Sequence, residues 1–213
     1  RHPPLARPPH VSRPGSADGT LAVGALESGA MEALPLHCHP ATPCNYVSAV
    51  TARVDRLSED LLILYYEVVG DIDQLQLPPQ RRSAHTDGLW QHTCFEAFVR
   101  PEGARNYVEL NFSPSSEWAV YRFDDYRRGM TAVEPPHAPK IICRRREDRL
   151  EADVDVHCSG LVPRTDLQLA LAVVLEDLQG RICYWALNHA PGNPDFHNDA
   201  GFVLKLPRAG DEE

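Results

Sequence analysis

From Asn45 onward, apolar and polar positions alternate with a period of two, which predicts strands rather than helices. Asn45–Arg56 sets Val47, Ala49 and Thr51 against Val50, Ala52 and Val54. Asp60–Val69 is a dense apolar and aromatic run closed by Gly70 and Asp71. Thr93–Arg100 alternates Phe95, Ala97 and Val99 with Cys94, Glu96 and Phe98, and a turn follows at Pro101–Gly103. Arg105–Phe112 puts Tyr107, Glu109 and Asn111 on one face and Val108, Leu110 and Phe112 on the other, and the second face must be core. Glu117–Phe123 is the next strand, with Trp118, Val120 and Arg122 opposite Ala119, Tyr121 and Phe123. Lys140–Arg146 and Arg149–His157 read as a hairpin around Glu147 and Asp148. Leu167–Leu175 is apolar apart from Gln168, as a central strand is, and Arg181–Asn188 and Gly201–Leu206 complete the set.

The pattern amounts to about ten strands at hairpin spacing, with no long helix. Leu75–Arg82 has room for a short helical turn but contains Pro78 and Pro79. The expected fold is all-β: an antiparallel β-sandwich of the immunoglobulin-like or jelly-roll-like kind. A closed barrel with the same number of strands would share the pattern. Two long irregular stretches interrupt it, Asp71–Gln91 and Leu187–Ala200, and long ordered loops on a sandwich are where binding residues collect.

Residues 1–30 are rich in Pro, Arg, Gly, Ser and Ala, have no period and cannot bury a face, so they read as a disordered leader or upstream extension. The expected domain spans 31–206, and 207–213 is a flexible tail. The 213 residues carry 21 Lys+Arg against 30 Asp+Glu, a formal charge of -9. Such an acidic chain argues against nucleic acid and against anionic lipid as partners. No apolar run approaches the roughly 18 residues of a membrane-spanning helix. Cys94, Cys143, Cys158 and Cys183 lie in strand-like runs, where a free Cys behaves as a small hydrophobe. With no cleavable signal visible, a cytoplasmic location is expected. Composition does not speak to the oligomeric state.

Candidate chemistry appears where polar groups break the alternation. If the strands containing Glu96, Glu109 and Arg122 are neighbours, those three residues and Asn111 share one sheet face, with Trp90 and Trp118 near its edge. An aromatic ring beside carboxylate, amide and guanidinium groups suits a saccharide: the ring packs on the sugar C–H face and the polar tips bond its hydroxyls. The competing reading pairs Glu109 with Arg122 across strands on a solvated face and makes Trp118 an ordinary half-buried aromatic. Trp90 follows Asp87 and Gly88 in a long loop, which places it at the mouth of the sheet.

Other constellations are weaker. His37, Cys38, His39 and Cys44 crowd eight residues without any closed zinc spacing, so no metal is expected there. Asn188, His189, Asp195, His197, Asn198 and Asp199 offer either calcium oxygens or ordinary turn residues. Glu96 and Glu109 are also the pair a glycosidase would need. Cys94 with His92 and His85 shows no sign of a lowered thiol pKa.

The strings GLW at 88–90, TCFEAF at 93–98, YVELNFSP at 107–114, WAVYRF at 118–123 and YRRGM at 126–130 together resemble the DOMON-like domains. This mostly bacterial family is similar to family 9 carbohydrate-binding modules. LPLH at 34–37, TPC at 42–44, DFH at 195–197 and GFVLKL at 201–206 fit as well, so the resemblance runs over about 34–206 and makes Met31 the natural start. It implies an immunoglobulin-like sandwich whose wider relatives bind sugars or haem. In the sugar binders two tryptophans clamp the ring. Trp90 matches the first position, and Trp185 loosely matches the second. In the haem binders Met and His are axial ligands, here Met130 with one of His85, His92, His189 or His197. The combined expectation is a non-catalytic binder of a saccharide or similar small molecule with no obligatory cofactor. The ligand contacts expected are Trp90, Glu96, Glu109, Asn111, Trp118, Arg122, Trp185, Asn188, His189 and His197. A haem domain and a carboxylate-pair enzyme are the alternatives.

Overall fold

The computed structural model describes residues 32–209. The expectations for the leader and for the end of the tail fall outside them. Twelve antiparallel strands build the described chain. They are β1 (Leu34–Cys38), β2 (Val47–Ser58), β3 (Leu61–Gly70), β4 (Cys94–Pro101), β5 (Tyr107–Phe112), β6 (Trp118–Phe123), β7 (Thr131–Ala132), β8 (Lys140–Arg145), β9 (Arg149–His157), β10 (Leu167–Glu176), β11 (Ile182–Ala186) and β12 (Leu204–Leu206). One sheet runs β1-β2-β3-β9-β8. The other runs β7-β6-β5-β4-β10-β11-β1, with β12 beside the start of β10.

The strand β1 belongs to both sheets. Its Leu34–Leu36 half pairs with β2, and its His37–Cys38 half pairs with β11. The fold is thus a β-sandwich whose two layers are stitched along one side. The helical turn considered at Leu75–Arg82 does not form. The prolines prevent it, and single 3-10 turns stand instead at Ile72–Gln74 and Leu89–Gln91.

The alternation decides what faces inward. Val50, Ala52 and Val54 of β2 and Leu62, Leu64, Tyr66 and Val68 of β3 point to the interlayer core. Phe95, Ala97, Val99, Val108, Leu110 and Phe112 meet them from the other sheet. The Tyr66 hydroxyl crosses the layers and donates to the Glu96 carbonyl at 2.8 Å, and its ring lies 5.2 Å from that of Phe95. The outer face of the β2-β3-β9-β8 sheet is wet and charged. There Arg149 meets Glu67 and Asp148, and Arg144 meets Asp153.

The second sheet differs because β4 and β5 are buried on both faces. A second apolar cluster of Cys94, Phe98, Tyr107, Ala119, Tyr121, Phe123, Ala170, Val174 and Phe202 covers its outer side. The chain after β11 and the Leu89–Gln91 turn close over this face, and the functional groups lie beneath them.

Candidate functional site

The floor of the site is set by strand register. Glu96 of β4 stands opposite Asn111 of β5, and Glu109 of β5 stands opposite Phe98 of β4. The two carboxyls are therefore diagonal neighbours on one face. Both line a cavity of about 410 Å³, within the range of about 300–1,000 Å³ usual for small-molecule pockets. Phe98, Phe123, Val174 and Tyr184 from the sheet, Trp90 from its turn, and Pro194 and Phe196 from the last long loop form the walls. Trp90 is set by local backbone. Gly88 adopts a left-handed conformation (φ 77°) that starts the 3-10 turn, Leu89 buries beneath it, and the indole packs edge-on against Tyr121 at 5.5 Å. The Tyr121 hydroxyl donates to the Asp87 carboxylate and fixes the approach to that turn.

Glu96 is 2% exposed, and its Oε1 has no hydrogen-bond partner. Burial, and then the charge of Glu109, push its pKa well above the usual carboxylate range. Glu109 accepts a hydrogen bond from Asn111 Nδ2 at 2.8 Å. Burial raises its pKa to about 7, against the pull of that bond and of Arg127. His197 Nε2 faces Glu109 Oε2 at 3.7 Å, too far for a hydrogen bond. The Tyr107 hydroxyl accepts from the Arg127 backbone N–H at 3.2 Å and shares a hydrogen bond of 2.8 Å with His197 Nδ1. Burial, and then Arg127, lower the His197 pKa to about 4, so the ring is neutral.

At the mouth, Asp195 ties two loops together. It accepts from the Tyr126 hydroxyl at 2.7 Å and from Arg127 Nη2 at 2.7 Å. Burial alone would raise its pKa, but these bonds outweigh burial and hold the carboxylate below its ordinary value. The Arg127 guanidinium is thereby committed to Asp195 at the rim.

No model of a protein family matches the chain, and no curated protein matches its sequence significantly. Solved structures do match in fold. A candidate carbohydrate-binding protein of Bacteroides uniformis aligns with a TM-score of 0.58 at 16% identity, over 82% of this chain and 84% of its own. A family 9 carbohydrate-binding module of Caldicellulosiruptor kristjanssonii, solved with cellotriose, aligns with a TM-score of 0.50 at 14% identity, over 83% of this chain and 81% of its own. At such identities the likeness is one of fold.

The structure brings Trp90, Glu96, Glu109 and His197 to one cavity, with Asn111 beneath, bonded to Glu109. It separates the others. Trp118 and Trp185 point into the interlayer core at 6% and 7% exposure, so neither can reach a ligand in the cavity. Arg122 shares the Trp118 face and donates to the carbonyls of Gly160 and Leu161. The expectation that Arg122 shares the face of Glu96, Glu109 and Asn111 is therefore corrected. The register opposes Arg122 to Val108 and Glu109 to Tyr121, on opposite sides of the sheet, which also removes a Glu109–Arg122 pair. Asn188 is exposed and its Nδ2 donates to the Ala200 carbonyl at 2.8 Å, pinning the loop from behind. His189 meets the His37 carbonyl at 2.8 Å and lies outside the cavity wall.

The loop oxygens considered for calcium are engaged within the protein. Asn198 accepts from the Ala200 N–H, Asp199 pairs with Arg100, and Asp195 holds Tyr126 and Arg127. Burial, and then Glu96, raise the Cys94 thiol far above the reactive range. Sequence reading did not assign Arg127, Tyr107, Tyr184 or Phe196 to the site. Its available signal was the second apolar face: Phe98, Tyr107, Tyr121 and Phe123 all fall on the side that a solvated sheet would keep polar.

Proposed function

We propose that this protein is a non-catalytic binding domain for a saccharide or similar polyhydroxylated small molecule, akin to the DOMON-like domains. The observation that carries the reading is the cavity itself. Hydrogen-bonding carboxyls sit at its floor, aromatic rings form its walls and Trp90 stands at its edge. Sugars need that combination of polar tips and ring faces. The carbohydrate-binding neighbours in fold support it, one of them solved with cellotriose. Calorimetric titration with a panel of mono- and oligosaccharides tests it. At least one binds the wild type, and Trp90→Ala abolishes binding while the circular dichroism spectrum and melting temperature stay close to wild type. A panel that never binds overturns the reading.

A second reading has Glu96 and Glu109 act on a glycosidic bond. It is favoured by their split environments, one carboxyl held protonated and the other titrating near 7. Chromogenic glycosides turned over by wild type but not by Glu109→Gln would support it, and equal behaviour removes it.

A further inference from the structure

We infer that the ligand carries a protonated amine, seated between Glu96 and Glu109, so that the preferred sugar is an amino sugar rather than a neutral one. The inference rests on the saccharide reading for the rest of the molecule. Glu96 is 2% exposed, lines the cavity and leaves Oε1 without a partner. A buried carboxyl oxygen of this kind calls for a partner, and the cavity that Glu96 lines is the space from which one can enter. Glu109, 5% exposed, has one oxygen bonded to Asn111 and the other 3.7 Å from His197. The floor thus presents two carboxyls that form no ion pair with a Lys or Arg side chain. Arg127, the guanidinium on the cavity wall, is neutralised by Asp195.

A neutral hydroxyl group satisfies hydrogen bonds at this floor and leaves the carboxyls protonated. An ammonium group offers three N–H donors to two adjacent carboxyls and balances the charge of the carboxylate it creates by displacing a proton. The aromatic lining of Trp90, Phe98 and Tyr184 suits a cation as well. A quaternary ammonium lacks the donors that Glu96 Oε1 requires. A metal ion is not matched either, since no group of three potential ligands assembles among the described residues. Burial keeps the empty carboxyls partly protonated, so an incoming ammonium displaces a proton from the pair.

Calorimetry of the full chain at neutral pH distinguishes the possibilities, using glucosamine, galactosamine and mannosamine beside their neutral parents and N-acetyl derivatives, with putrescine as a non-sugar amine. The expected result is that an amino sugar binds at least about tenfold more tightly than its parent. Proton release should accompany binding, visible as a buffer-dependent enthalpy. Both Glu96→Gln and Glu109→Gln, checked for folding by circular dichroism, should bring the amino sugar down to the level of the parent. Neutral sugars binding as well as amino sugars, or a preference that survives both substitutions, overturn the inference and leave the saccharide reading standing. Binding of putrescine alone upholds the charge and removes the sugar. If nothing in the panel binds, both fall.

Discussion

Replacing Glu109 by Gln removes one of three shifted titrations in the site, those of Glu96, Glu109 and His197. Glu109 titrates near 7 in the fold and near 4.5 when unfolded, because burial opposes its charge. Between those values the folded chain keeps a proton that the unfolded chain has released. Stability therefore falls as pH rises from 4.5 through 7, and the deficit persists above 7. At about 1.4 kcal/mol per pH unit it reaches about 3 kcal/mol. His197 works in the other direction. With its pKa lowered from 6.5 to about 4 by burial and then by Arg127, the unfolded chain takes up the proton first, and stability rises with pH across that interval. Between pH 4.5 and 6.5 the contributions of Glu109 and His197 nearly cancel, while Glu96, raised like Glu109, adds a falling one present in wild type and variant alike. Glu109→Gln retains the contributions of His197 and Glu96 and loses its own. The variant should match wild type near pH 4.5 and exceed it by about 3 kcal/mol above pH 7, a gain of about 6–12 °C in melting temperature for a chain of this size. Urea and thermal unfolding followed by circular dichroism across this range measure the difference. A difference that does not vary with pH refutes the assignment of the titration to Glu109.

Tyr66→Phe removes the cross-layer bond to the Glu96 carbonyl and should cost about 1–3 kcal/mol in urea unfolding. Gly70→Ala should cost about 3 kcal/mol, because its φ is +155° and a Cβ there would lie 2.3 Å from the Tyr46 carbonyl oxygen; a melting curve like that of wild type would contradict this. Cys44, its pKa lowered to about 6 chiefly by a hydrogen bond from Cys183, should be the fast-reacting thiol toward iodoacetamide at neutral pH, and Cys44→Ser should remove the fast phase.

Ten of the twelve strands were legible as period-two runs, since burial of one or both faces writes itself into apolar spacing. The strand β1 escaped because it is five residues long, contains Pro35 and divides its pairing between two sheets. The strand β7, two exposed residues, is defined by backbone pairing alone. Within the site, the face shared by Glu109 and Asn111 was readable from parity. The placement of Arg122 was not, because both faces of β6 carry aromatic side chains and only the register against β5 says which one meets the cavity. Arg127 lies outside any strand at a positive φ of 49°, and no periodicity points to it.

The double allegiance of β1 has a consequence for how the molecule behaves in a crowd. An ordinary sandwich shows each sheet's flanks to its neighbours as templates for strand addition. Here five residues occupy the flank of β2 and the flank of β11 at once. Among the described residues the borders left open are the two-residue β7, the three-residue β12 and the basic β8, with Lys140, Arg144 and Arg145 exposed along it. Clipping Leu34–Cys38 would uncover an unprotected rim on both layers in a single cut, and the product would be prone to polymerise through its own strands.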